Sequence, residues 1–303
     1  MKTPPAGRAL AVLAVGVAVV STASILIRFA QAEGVPSLSI AATRLGLAAL
    51  VLLPFAWARA RGEIVALTPR DLALTLASGA LLAIHFWSWI TSLEYTSVAS
   101  STVLVTTNPL WVGLASIVVL REKLSTAAIA GLVLSLLGML MTFAAEPDVA
   151  MPARNATLGN GLALVGAVSA SGYLLIGRAL RARVSLIAYV ALAYAGAALL
   201  LCVAALFTGA PLLGHTAPAW LFLVLLAVGP QLIGHTTFNW SLRHLSATFV
   251  ALAILGEPVG SAVLAWLILG EGFTSPQLAG FALLLAGIFL AARGEAASHP
   301  AGR

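Results

Sequence analysis

The sequence predicts an all-α, polytopic membrane protein of ten transmembrane helices, arranged as two inverted five-helix repeats. Three observations lead to this prediction. The 303 residues are 61% hydrophobic and 9% charged, whereas soluble domains carry about 25% charged residues. Apolar stretches of about 20 residues, long enough to cross a bilayer, follow one another along the chain. The second half of the sequence also repeats the first at a constant offset.

The apolar stretches place the spans in chain order. In the first half they cover residues 9–30, 37–57, 72–92, 97–119 and 125–144; in the second half they cover 158–180, 185–207, 217–241, 246–269 and 275–292. Polar segments or segments rich in Gly and Pro separate them, as expected of connections. Residues 59–70 are predicted to form a polar loop. The polar segment 146–157 is the longest, so we divide the chain into residues 1–148 and 149–303.

The basic residues predict the orientation of the spans, because Lys and Arg are retained on the cytoplasmic side of a membrane. With a cytoplasmic N-terminus, 13 of the 16 basic residues fall in cytoplasmic segments, Arg154 falls outside, and Arg28 and Arg44 lie within spans. The cytoplasmic set is Lys2, Arg8, Arg59, Arg61, Arg70, Arg121, Lys123, Arg178, Arg181, Arg183, Arg243, Arg293 and Arg303. We therefore expect both termini in the cytoplasm.

An internal repeat defines the architecture. A shift of 149 positions aligns the halves without a gap over this region, bringing Pro109 onto Pro258 and Gly138 onto Gly287. Each copy holds five spans, an odd number, so the two copies enter the membrane from opposite sides. Inverted repeats of this kind place a binding site near the bilayer midplane between the halves, and one half rocks against the other during alternating access.

The repeated residues carry a resemblance to a known family. In the first half they are Leu93 to Ser97, Asn108 to Trp111, Arg121 to Leu124, Gly131 and Gly138; in the second half they are Leu242, Ser246, Glu257 to Val259, Leu269 to Glu271, Gly280 and Gly287. This pattern resembles the EamA repeat of the drug/metabolite transporter superfamily, and within it the chain is most similar to YddG-type amino-acid exporters. The resemblance implies a ten-helix fold, a bacterial inner-membrane location and export of amino acids, including aromatic ones.

Ionisable side chains inside the spans are the first candidates for a substrate site, because each costs free energy in the hydrocarbon. Glu257 lies in the middle of the ninth span. It can hold a substrate ammonium, carry a proton that couples transport, or pair with an internal arginine. Arg44, in the second span, can bind a carboxylate as a fork of donors or serve as a structural partner of Glu257. Arg28 is nearer a helix end and can reach the membrane interface.

Polar and aromatic residues at helical spacing are further candidates. His85 and Trp89 share a face of the third span, and Tyr173 lies in the sixth. The eighth span carries a polar stripe made of Gln231, His235, Phe238 and Asn239. The pattern favours a cavity wall, and interhelical hydrogen bonding is the alternative reading.

The fourth and ninth spans each contain a proline. Ser101, Asn108 and Trp111 are expected on one face of the fourth span. Because proline has no N–H, Pro109 and Pro258 are predicted to kink their helices. Two kinks crossing near the midplane suit a binding site and a gate, whereas static kinks satisfied by nearby hydroxyls are the alternative.

These residues predict a secondary transporter that exports amino acids as a monomer. A zwitterion needs an acceptor for its ammonium and donors for its carboxylate, and the polar residues above provide both. A permease for other small metabolites, such as amines, drugs or sugars, is the alternative. An intramembrane enzyme is disfavoured, because the spacing gives no nucleophile–base pair.

Other classes of function lack their signatures. There is no Walker loop, no HExxH and no paired cysteine set, so neither ATP hydrolysis, a metal site nor a cofactor is expected. The net charge of +6 comes from short loops rather than one basic face, which argues against a nucleic-acid partner. The expected partners are the lipid bilayer and a small-molecule substrate.

Overall fold

The computed structural model describes residues 6–96, 98–118, 125–144, 155–269 and 272–298. This part of the chain is helical and contains no strand. The first-half spans are Ala6–Val20 with Ala23–Ala32, Ser37–Val65, Pro69–Ser92, Val98–Val105 with Asn108–Val118, and Thr126–Ala144. The second-half spans are Ala156–Arg181, Leu186–Thr208, Ala217–Ser241, Ala247–Ile254 with Gly256–Leu269, and Ser275–Ser298. Eight of these helical segments are long and apolar enough to cross a membrane, and shorter apolar helices complete the ten predicted spans.

Helix starts repeat at the offset seen in the sequence. Ser37 and Leu186 begin the second and seventh spans, Val98 and Ala247 the fourth and ninth, and Thr126 and Ser275 the fifth and tenth. Each of these pairs is 149 residues apart, the same separation that the hydrogen bond from Ser135 to Leu284 spans. The proposed boundary between the halves, together with Ser97, Arg121 to Leu124, Gly270 and Glu271 of the repeated motif, lies outside the described residues.

The predicted loop at residues 59–70 is wrong. The second span continues to Val65, and the third begins at Pro69, so the connection is only three residues long. Alanine, arginine and glutamate favour helix, and the charged side chains at this end can leave the hydrocarbon. The helix bends at Ala60, whose φ is −133°. Thr68 caps the next helix by accepting from the Asp71 N–H at 3.1 Å, with proline at the first helical position.

The fourth and ninth spans break at equivalent places. The helix ending at Val105 is followed by one beginning at Asn108, and the helix ending at Ile254 is followed by one beginning at Gly256. Each break precedes its proline by two or three residues. The hydroxyls of Thr106 and Thr107 donate to the carbonyls of Thr102 and Leu104 at 2.6 and 2.7 Å. Neither acceptor is the Val105 carbonyl that Pro109 leaves without its helical N–H donor.

The fifth and tenth spans pack against each other about an internal two-fold axis. Gly131 lies against Gly287 and Gly138 against Gly280: a Cβ placed on any of the four would stand 2.5 to 2.7 Å from the partner's carbonyl oxygen. Because the repeat relates Gly131 to Gly280 and Gly138 to Gly287, each contact is the symmetry mate of the other.

The axis passes beside Ser135 and Leu284, which are counterparts of one another. The Ser135 hydroxyl donates to the Leu284 carbonyl at 3.1 Å. The fifth and tenth spans run antiparallel here, since higher numbers in one contact lower numbers in the other. A two-fold axis that relates antiparallel crossing helices is perpendicular to them, and therefore lies in the membrane plane. The prediction of two inverted five-helix repeats is confirmed.

Candidate functional site

A cavity lies between the two halves of the bundle. Its empty space measures about 660 Å³, a figure that includes the part open to solvent. Side chains from the first four spans and from the sixth, eighth and ninth spans form its wall. Eight of the predicted site residues line it: Arg44, His85, Trp89, Asn108, Tyr173, His235, Phe238 and Glu257.

The wall of the cavity is arranged about the two-fold axis. Three pairs of lining residues are counterparts at the offset of 149: Trp89 with Phe238, Val105 with Ile254, and Asn108 with Glu257. The two helix breaks lie within these last two pairs. One break separates Val105 from Asn108, and the other separates Ile254 from Glu257. The site therefore sits where the two repeats meet, as an inverted repeat requires.

The charged residues of the cavity depart from this symmetry. Arg44 corresponds to Ala193, and the carboxylate of Glu257 corresponds to the neutral amide of Asn108. The cavity thus holds a guanidinium and a carboxylate that each lack a charged counterpart. Arg44 and Glu257 form no ion pair within 4 Å, although each lies within electrostatic range of the other.

Arg44 is fully buried and is held on two sides. Its Nε donates to Oε1 of Gln231 at 2.9 Å, and its guanidinium carbon lies 4.0 Å from the centroid of the Phe86 ring, a cation–π geometry. Neither terminal nitrogen has a hydrogen-bond partner in the described part of the chain. The Arg44 guanidinium is therefore held in position, while its two terminal nitrogens have no partner among the described residues.

Other unpaired polar atoms lie around the same cavity. Trp89 Nε1, Asn108 Oδ1 and His235 Nδ1 are buried and have no hydrogen-bond partner among the described residues. Buried polar atoms in folded proteins are nearly always paired. These atoms and the Arg44 fork belong to residues that line the cavity, where they are available to pair with the groups of a bound molecule.

Aromatic rings form much of the remaining wall. His85 stacks on Trp89 with ring centroids 5.9 Å apart and an interplanar angle of 14°, and its Nδ1 lies 3.0 Å from the Gly166 carbonyl. His235 lies edge-on to Phe238 at 5.5 Å. With Leu82, Val20 and Leu174, these rings leave an apolar volume beside the charged groups.

Two predicted residues stand behind the wall instead of lining it. Gln231 is fully buried and holds Arg44. Asn239 donates to the Tyr173 hydroxyl and to the His235 carbonyl, the latter at 2.7 Å. Both lie on the eighth span, where Ala227–His235 is a π-helix containing a proline. Wide turns of this kind are frequent at functional sites, and here one carries Gln231 and His235.

The structure places five predicted residues elsewhere. Trp111 is 37% exposed, with its indole N–H bonded to Thr107 Oγ1 at 3.2 Å, and Arg28 is also exposed. Ser101 is buried against the Ser92 hydroxyl at 2.5 Å. Pro109 and Pro258 do not line the cavity. They lie at the two helix breaks, beside Asn108 and Glu257.

The sequence reasoning missed three small lining residues. Thr102, Thr106 and Ala170 contribute to the wall. The signal for Thr102 and Thr106 was present, because they precede Asn108 by six and two residues on the predicted polar part of the fourth span. Nothing in the pattern distinguishes Ala170 from the many other alanines of the spans.

The fold and site together define a class. A helical membrane bundle of two inverted repeats, with a polar cavity at their junction, is the architecture of secondary transporters. The model of the EamA-like transporter family matches residues 8–144 and again residues 157–293. The chain belongs to this family, and is a membrane transporter of the drug/metabolite transporter superfamily.

Comparison with solved structures agrees on the fold. A crystal structure described only as that of a protein matches with a TM-score of 0.79, covering 97% of this chain and 99% of that chain at 20% sequence identity. At this identity the likeness shows a shared fold. Comparison with curated proteins finds no match.

Proposed function

We propose that this transporter exports amino acids across the bacterial inner membrane by alternating access, as the YddG-type exporters that it resembles would. The observation that carries the proposal is a guanidinium and a carboxylate facing one cavity without pairing to each other. An amino-acid zwitterion brings the two complementary charges, and the aromatic and aliphatic wall accepts its side chain. The internal symmetry supports alternating access, because equivalent movements of the two halves can expose the cavity to either side.

A reconstituted flux assay tests the substrate class. Purified protein in liposomes loaded with labelled leucine or phenylalanine, at two pH values, should release label faster than liposomes without protein. Because the cavity holds one positive and one negative side chain, we expect neither uncharged glucose nor anionic inorganic phosphate to be released. Release of sugars or simple amines, with no release of either amino acid, would instead support a permease for other metabolites. The same protein is expected to purify and transport as a monomer.

The orientation of the chain gives a separate prediction. In the described ranges, the arginines other than Arg28 and Arg44 lie on the membrane side that holds the N-terminal helix start. We propose that this side is cytoplasmic. Alkaline phosphatase, which is active only in the periplasm, should be inactive when fused to the C-terminus and active when fused after residue 211, between the seventh and eighth spans. The opposite pattern would reverse the topology.

A further inference from the structure

We infer that the cavity recognises both charged ends of an α-amino acid: the terminal nitrogens of Arg44 bind the carboxylate, and Glu257 with Asn108 Oδ1 receives the ammonium. The inference rests on the proposed function and makes it more specific. It says which part of the substrate is obligatory, and it assigns Gln231 as a positioning residue for the Arg44 fork.

The carboxylate end follows from what already surrounds Arg44. A guanidinium offers five N–H donors in a planar fork. Gln231 occupies the Nε donor, and the Phe86 ring covers one face. The edge formed by the two terminal nitrogens is left without a partner among the described residues. That edge presents two nearly parallel donors, the geometry that binds a carboxylate through both oxygens.

The bond from Arg44 to Gln231 connects the two halves of the protein. Arg44 comes from the second span and Gln231 from the π-helical segment of the eighth, where the corresponding residue of the first half is Leu82. A leucine cannot accept from Nε, so the opposite half has no equivalent arrangement. Gln231 therefore sets the direction in which the fork points, although it does not line the cavity itself.

The ammonium end follows from the one polar pair that the two-fold axis relates. Glu257 and Asn108 are counterparts and both line the cavity. An ammonium donates three hydrogen bonds and accepts none. The carboxylate of Glu257 and the unpaired Oδ1 of Asn108 are both acceptors, and Glu257 forms no ion pair with a described residue. Arg44 lines the same cavity, so a zwitterion that pairs with this end directs its carboxylate toward the Arg44 fork.

This assignment has a chemical consequence for selectivity. A substrate lacking either end would leave Arg44 or Glu257 buried without its partner, and such a loss typically weakens binding by about 30-fold or more. An amide, a decarboxylated amine and a deaminated acid with the same side chain should therefore all be refused. The rest of the wall consists mostly of rings and aliphatic groups, so several uncharged side chains should be accepted.

A competition assay on the full-length protein in detergent micelles tests the inference without the complication of membrane permeability. Unlabelled phenylalanine should displace labelled phenylalanine, whereas phenylalaninamide, phenethylamine and hydrocinnamate should each bind at least about 30-fold more weakly, the factor that corresponds to loss of one charged partner. Equal displacement by the amide or the amine would overturn the inference while leaving amino-acid transport intact. Failure of both phenylalanine and leucine to bind or to be transported would instead reject the proposed function.

Variants assign the two ends. Arg44→Gln and Arg44→Lys should each weaken phenylalanine binding by at least about 10-fold, since lysine is a point charge without the fork. Arg28→Gln, which removes an exposed charge from the first span, is the matched control and should stay within about twofold. Gln231→Leu should reduce the preference for phenylalanine over its amide; a merely structural role would weaken both ligands equally. Unchanged binding by correctly folded Arg44→Lys would reject the assignment of the carboxylate to Arg44.

Discussion

Replacing Gly138 with leucine is expected to leave almost no folded protein, because the fifth and tenth spans cannot then approach each other. Even the Cβ of alanine would stand 2.4 Å from the Leu284 nitrogen and 2.5 Å from the Gly280 oxygen. Both are backbone atoms, so the helices must separate. In a membrane, close packing of small residues drives helix association, and the separation removes contacts along the whole seam.

The milder substitution gives a measurable value. Overpacking of a core typically costs about 1–3 kcal/mol, and we expect Gly138→Ala to lie at the upper end of that range. Size-exclusion chromatography and thermal unfolding in detergent provide the measurement. Gly161→Ala is the matched control: nothing lies within 4 Å of its added Cβ, and alanine favours helix by about 1 kcal/mol over glycine. A Gly138→Leu protein that elutes and melts like the unmodified protein would contradict the packing described for the seam.

Glu257→Gln is expected to reduce amino-acid export by about 100-fold while leaving the fold intact. Glutamine has nearly the same shape, so the substitution removes the charge and little else. The substrate ammonium then loses its ionised acceptor, for which losses of about 2–5 kcal/mol are typical. Proton carriage by this residue would be lost as well.

The measurement is release of labelled phenylalanine from liposomes at two pH values. Glu94→Gln provides the control, because Glu94 is an exposed carboxylate in the turn after the third span and does not line the cavity. Its rate should match that of the unmodified protein. A full rate with an unchanged pH profile in Glu257→Gln would exclude both roles of the residue, in ammonium binding and in proton transfer.

The spans and the inverted repeat were predictable because they depend on properties that a single sequence displays. The length of each apolar stretch determines where a helix can cross the membrane. The constant offset between the repeats, seen for example between Pro109 and Pro258, can be read from the sequence alone. The end of the second span was not predictable in this way. Arg59 and Arg61 indicated a loop by their charge, but charged side chains are compatible with a helix that extends past the hydrocarbon.

Regular helices made part of the site predictable. His85 and Trp89 share one uninterrupted helix and line the cavity together. Ser101, Asn108 and Trp111 were expected on one face of the fourth span, but the break at Thr106 and Thr107 changes the helical phase, so Asn108 lines the cavity and Trp111 faces outward. The partners of Arg44 were equally hidden, since Gln231 and Phe86 approach it from other spans.

Among the described residues, no side chain of the fifth or tenth span lines the cavity, although these spans form the glycine seam on the two-fold axis. The bond between Arg44 and Gln231 also joins the two halves, so substitutions of Arg44 act on both the site and the contact between the halves. Substitutions of other lining residues, by contrast, should alter which molecule is carried while the glycine seam stays packed, and a more stable seam should leave that preference unchanged.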